Sequence, residues 1–133
     1  MAIEVRGLSP LMEVFDMPTS LAFYRDKLGF RVAGDSGKGD ESDWVMLELG
    51  GATIMLNTAY DDGERPEAPN PERIAAHHDT CIYFGCPDVD AAYEHLKANG
   101  IDARPPKVAP YGMKQLYVRD PDNYNLCFQW RAE

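Results

Sequence analysis

The sequence predicts an α+β fold made of two tandem β-α-β-β-β modules, and three observations predict it. A strand-like run, an aspartate-led helix start and a helix-stopping glycine occur twice in the same order, ending at Leu28-Gly29 and again at Asn99-Gly100. Each half then closes with two apolar runs joined by turn residues, Gly50-Gly51 in the first and Asp120-Pro121-Asp122-Asn123 in the second. The length of 133 residues suits one core-bearing domain and is short for two independent ones. The expected organisation is a single domain over residues 1–133, with module 1 at about 1–58, a linker at about 59–76 and module 2 at about 77–133.

Residues 8–15 are apolar apart from Glu13, which suits a strand, and they run into Asp16-Met17-Pro18-Thr19-Ser20. Asp16 can accept from the first free amides of a helix, and Pro18 is tolerated in its first turn. Leu21, Tyr24 and Leu28 follow at helical spacing, and Gly29 is placed to end the helix in a left-handed conformation. Residues 30–33 can form a short strand, and 34–42 read as a glycine-rich polar loop. Residues 44–49 and 52–57 form a hairpin across Gly50-Gly51, because two-residue turns favour positive φ. The segment 59–76 carries Asp61, Asp62, Glu64, Arg65, Glu67, Pro66, Pro69 and Pro71. It is too charged and proline-rich for a core element and is expected to be an exposed linker, with a length that favours a role as a lid. In the second half, 80–86 are strand-like, Pro87-Asp88 start a helix carrying Val89, Ala92, Tyr93 and Leu96, and 101–104 resume an extended path. After a loop at 105–112, residues 114–119 and 125–130 form the final hairpin.

Charge narrows the partners. A net charge of −9 lacks the basic footprint that nucleic acid requires, and it disfavours anionic membranes for the same reason. Cys81, Cys86 and Cys127 are odd in number and fit no zinc spacing, which favours a reducing cytoplasm over a secreted disulfide framework. No segment approaches the roughly 20 apolar residues of a membrane span.

The phrases Asp16-x-x-x-Ser20-x-x-Phe23-Tyr24-x-x-x-Leu28-Gly29-Phe30, Asp88-Val89-Asp90-Ala91-Ala92 with Asn99-Gly100-Ile101, and Tyr117-Val118-x-Asp120-Pro121-Asp122-Asn123 appear in this order and cover nearly the whole chain. In them the sequence resembles the vicinal oxygen chelate superfamily, whose members include glyoxalases, bleomycin-resistance proteins and extradiol dioxygenases. The resemblance implies concave sheets with helices on their outer faces, a homodimer, and a small organic ligand held on the inner faces. It also implies a metal site in the catalytic branches, built from His, Gln or Glu on the first and last strand of each module.

At the matching positions this chain carries Ser9, Met55, Cys81 and Cys127. A hydroxyl and a thioether are poor substitutes for imidazole or carboxylate toward a hard or borderline cation. His77 and His78 stand before the strand, out of parity or reach, and are expected to be exposed loop histidines. No metal and no cofactor are therefore expected. Cys81 and Cys127, read as facing each other, leave open a soft-ion site or a redox pair, although small buried cysteines usually pack as weak hydrophobes.

Strand alternation then predicts an inner face of Ser9, Leu11, Glu13, Thr53, Met55 and Asn57, and, in the second module, Cys81, Tyr83, Asn125, Cys127 and Gln129. Met12, Val14, Ile54, Leu56, Ile82, Phe84, Leu126 and Phe128 are expected under the helices. Trp44, Met46, Tyr111, Met113 and Tyr117 offer aromatic and adaptable surface near a pocket mouth. Glu13, as an inward carboxylate, must be hydrated, paired or used. The candidate ligand-binding residues are Ser9, Glu13, Trp44, Thr53, Met55, Cys81, Tyr83, Tyr111 and Cys127. The expectation is metal-free capture of a small hydrophobic or cationic organic molecule. Its alternative is a metal-dependent lyase, isomerase or extradiol dioxygenase with atypical ligands.

Overall fold

A computed structural model describes residues 1–133. The chain forms two compact units, Met1–Arg65 and Pro66–Glu133, divided within the segment expected as a linker.

The first unit contains β1 (Leu11–Val14), a helix that begins as α1 (Met17–Leu21), β2 (Arg31–Asp35), β3 (Trp44–Leu49) and β4 (Ala52–Thr58). Its sheet has the order β1-β4-β3-β2. β1 lies parallel to β4, whereas β4, β3 and β2 pair antiparallel. Asp16 caps the helix by accepting from the Thr19 amide at 3.1 Å, and the Arg65 guanidinium pairs with the same carboxylate. The regular helical spacing holds only to Leu21, after which Ala22–Lys27 is π-helical. The Leu28 amide reaches the Phe23 carbonyl at 2.9 Å, a span of five residues, and the wider turn lets Phe23, Tyr24 and Leu28 all bury. Gly29, at φ 98°, ends it as expected.

The second unit contains α2 (Pro71–Ala76), β5 (Cys81–Gly85), α3 (Val89–Ala98), β6 (Lys107–Val108), β7 (Met113–Arg119) and β8 (Asn125–Arg131). Its sheet, β5-β8-β7-β6, repeats the first, including one parallel pair between first and last strand. Two local expectations need correction. The segment 59–76 is not wholly irregular, because Asn70 accepts from the Glu72 and Arg73 amides and Pro71 occupies the first helical position, where a missing N–H costs nothing. The extended path at 101–104 pairs with nothing. The short edge strand lies beyond Pro105-Pro106, where Lys107 registers with Gln115 and Val108 with Lys114.

Alternation holds on both sheets. Met12, Val14, Ile54, Leu56, Phe84, Leu126 and Phe128 are buried, each at 8% exposure or less, and Ile82 alone of the predicted set is only half-buried. Removing each such side chain from water stabilises by about 1.5–3 kcal/mol. Neighbours on the opposite face, such as Leu11 and Tyr83, remain about half exposed.

The final hairpin turns on Asp120, whose carboxylate accepts from the Asp122 and Tyr124 amides at 2.9 Å each, with Asn123 at φ 70°. His77, expected as an idle loop histidine, instead stacks on Tyr124 at 4.0 Å and binds the Asp122 carbonyl through Nδ1 at 2.8 Å. Its ring is a brace for the turn.

Candidate functional site

Strand register resolves each inner face into rows of side chains. On the first sheet Leu11, Met55 and Met46 form one row, and Glu13, Asn57 and Trp44 form the next. Asn57 Nδ2 donates to the Glu13 carboxylate at 3.3 Å, so the inward carboxylate has a neutral partner. Ser9 and Thr53 share a hydroxyl hydrogen bond across the same face. Five of the candidate residues therefore lie together on this sheet, and Trp44 also covers Gly34, where an added Cβ would sit 3.8 Å from the indole ring.

On the second sheet the corresponding rows are Cys81, Asn125 and Arg119; Tyr83, Cys127 and Tyr117; and Gly85, Gln129 and Gln115. Cys81 and Cys127 are thus diagonal rather than opposed, since Cys127 lies directly between the two tyrosines. The phenol rings meet edge to face at 6.4 Å, and their hydroxyls are 3.3 Å apart. Beneath this pair Cys127 has no solvent exposure. Burial pushes its thiol up to about 11, only partly offset by the hydrogen bond that the Tyr117 hydroxyl gives the sulfur. The Cys81 thiol is likewise raised, chiefly by burial. Tyr117 is held protonated well above its ordinary range, first by its bond with Tyr83 and then by desolvation.

A cavity of about 1070 Å³ opens over this face. Cys81, Tyr83, Tyr111 and Tyr117 line it, so three of the candidate residues converge, with Cys127 immediately below as packing for the tyrosines. Tyr111 is fixed by Gln115, whose Nε2 donates to the tyrosine hydroxyl and to Gln129 Oε1, both at 2.9 Å. Three lining cations, Arg104, Lys107 and Arg119, were not expected from the sequence. Arg119 was within reach of the alternation argument, being two residues beyond Tyr117 on one strand. Arg104 and Lys107 sit in a proline-rich stretch that has no period to read.

A family model described as the Glyoxalase/Bleomycin resistance protein/Dioxygenase superfamily matches residues 10–128. The chain belongs to that superfamily. Among its relatives, the uncharacterized protein YaeR of Escherichia coli (strain K12) is 33% identical over 120 residues, covering 84% of each chain. Among solved structures, TioX from Micromonospora sp. ML1 superposes with a TM-score of 0.70 at 20% identity, over 94% of this chain and 99% of that one. A bleomycin-binding protein complexed with bleomycin superposes with a TM-score of 0.69 at 18% identity, over 96% and 99%. At these identities the two structures speak for the fold.

Catalytic members of the superfamily imply a divalent metal, and the residues here do not fit one. Ser9 is engaged with Thr53, Met55 offers a thioether, and Cys127 is a protonated thiol sealed beneath two phenols. No three His, Cys, Asp or Glu side chains converge with metal-binding geometry anywhere in the chain. Of the two histidines before β5, His77 already uses Nδ1 on the Asp122 carbonyl, and His78, which lines the cavity, has Nδ1 3.3 Å from the Asn125 amide nitrogen.

Proposed function

We propose that this superfamily member captures a small organic molecule on the inner face of its second sheet without a metal ion. The observation that carries the reading is the Tyr83, Cys127, Tyr117 row: where metal-dependent relatives project an ionic donor, this chain places a neutral thiol under an aromatic floor. Above that floor, Tyr111 and the Gln115–Gln129 amide pair add a few orienting hydrogen-bonding groups, the mixture that ligand pockets use. Ser9, Glu13, Trp44, Thr53 and Met55 lie together on the inner face of the first sheet, and we propose them as ligand-contacting residues of that unit taken by itself.

We further infer that residues 1–133 act as one domain and that the protein works as a homodimer in a reducing cytoplasm. The half-exposed Leu11, Tyr83 and Tyr117 favour a partner or ligand over bare solvent, and all three cysteines are free, including the neighbouring Cys81 and Cys127. No helix is long and apolar enough to cross a membrane.

The test is elemental analysis of protein produced with nickel, manganese, iron and zinc in the medium, paired with calorimetric titration of naphthalene-2-carboxamide as a neutral flat probe. The reading expects far less than one equivalent of metal per chain and saturable binding of the probe. One stoichiometric metal per chain, with glyoxalase or catechol-cleaving activity that chelator abolishes, would establish the metal-dependent lyase or dioxygenase reading instead.

A further inference from the structure

Resting on the assignment of the second sheet as the binding face, we propose that its ligand is an organic anion, a flat apolar body bearing a carboxylate or similar oxyanion. The whole chain is strongly acidic, yet three cations and one carboxylate, Asp102, line this cavity. Arg104, Lys107 and Arg119 enter no ion pair. Carboxylates outnumber basic residues 22 to 13, and three basic residues outside any ion pair gather at this one concavity.

Their placement follows from the fold. Arg119 continues the face of Tyr117 on β7 and is steadied by a 2.8 Å bond from its guanidinium to Asn123 Oδ1. Lys107 stands across from Gln115 on the edge strand, and Arg104 precedes it on the connection from α3. The three therefore rim an aromatic floor from two sides. Uncompensated positive charge beside low-dielectric walls raises the local potential for anions and repels cations. Guanidinium forks match carboxylate geometry, and phenol faces suit a flat body. This reverses the cationic half of the ligand class expected from the sequence and keeps the hydrophobic half.

Calorimetric titration of three probes of one shape tests it: 2-naphthoate, naphthalene-2-carboxamide and 2-naphthylmethylammonium. The order expected is anion tightest, amide next and ammonium weakest, with the anion ahead of the amide by about tenfold, the scale of a charge-assisted contact at a partly exposed site. The Arg104→Gln/Lys107→Gln double variant should erase most of that advantage while leaving the amide within about twofold. An anion advantage that survives this variant, or an ammonium probe that binds as well as the anion, overturns the charge assignment while metal-free capture stands. If instead no probe binds at millimolar concentration, or Tyr117→Ala leaves the amide affinity unchanged, the binding face itself is wrong and both proposals fall.

Discussion

The two sheets share strand order, one parallel pair and a largely buried apolar face under their helices, but their inner faces are built from different chemistry. The first presents thioethers, an aliphatic side chain, an indole and a carboxylate paired with an amide, through Met46, Met55, Leu11, Trp44 and Glu13. The second presents phenols, thiols, amides and uncompensated cations, through Tyr83, Tyr117, Cys81, Gln115 and Arg119. Equal topology with unequal inner faces separates two kinds of constraint. Residues beneath the helices must be apolar and of fitting volume for the module to fold, whereas those across the strand are free to differ because water or a ligand completes them.

The largest effect is expected where the sheets agree. Leu56→Ala and Leu126→Ala, each at a side chain with no exposure, should each cost about 2–5 kcal/mol in chemical denaturation. A loss confined to one of them would break the equivalence of the two buried faces. Where the sheets differ, Tyr117→Ala should uncover Cys127 and raise its alkylation rate by about an order of magnitude or more at neutral pH, read by peptide mass spectrometry. Unchanged protection would mean that something other than the phenol pair seals the thiol.

A smaller effect belongs to the first unit alone. Asp16→Ala removes the helix cap and the Arg65 pairing and should lower stability by about 1–2 kcal/mol. The Asp16 carboxyl lies below its ordinary value of 3.8 because the Thr19 hydroxyl, the Arg65 guanidinium and the Thr19 amide all bond its charged form. Its contribution is therefore present above that value and is lost as pH falls through the lower folded pKa, so the variant should show a flatter acid limb. The smallest effect runs the other way in the second unit. With the Cys127 thiol raised from 9.0 to about 11, stability should be full below pH 9 and decline as pH climbs toward 11. Cys127→Ala should remove part of that decline, measured by denaturation at stepped pH.

Period-2 alternation made the inner and outer faces readable from the sequence, because a buried sheet face leaves only one register that hides its apolar set. Asp16, Gly29 and the Asp120 turn were readable for a similar reason, since capping and turn geometry admit few residue types. The π-helical widening after Leu21 was not, because Leu21, Tyr24 and Leu28 satisfy helical spacing and only packing decides the extra residue per turn. Cys127 illustrates the limit at the site. Its inward direction followed from parity, but its sealing depends on which residues stand opposite it on two neighbouring strands, and one sequence does not state that register. Arg104 and Lys107 come to the cavity through a loop and a two-residue strand, where no periodic signal exists.

The central claim is that the second sheet takes its ligand through phenols and cations, with no metal between. The most direct measurement is a titration of 2-naphthoate followed by NMR on the same sample before and after exhaustive chelation. The account expects shifts centred on Tyr83, Tyr111 and Tyr117 and an affinity that chelation leaves unchanged. Binding that disappears with chelator and returns with a divalent ion, or shifts centred instead on Leu11, Trp44 and Met55, would contradict it.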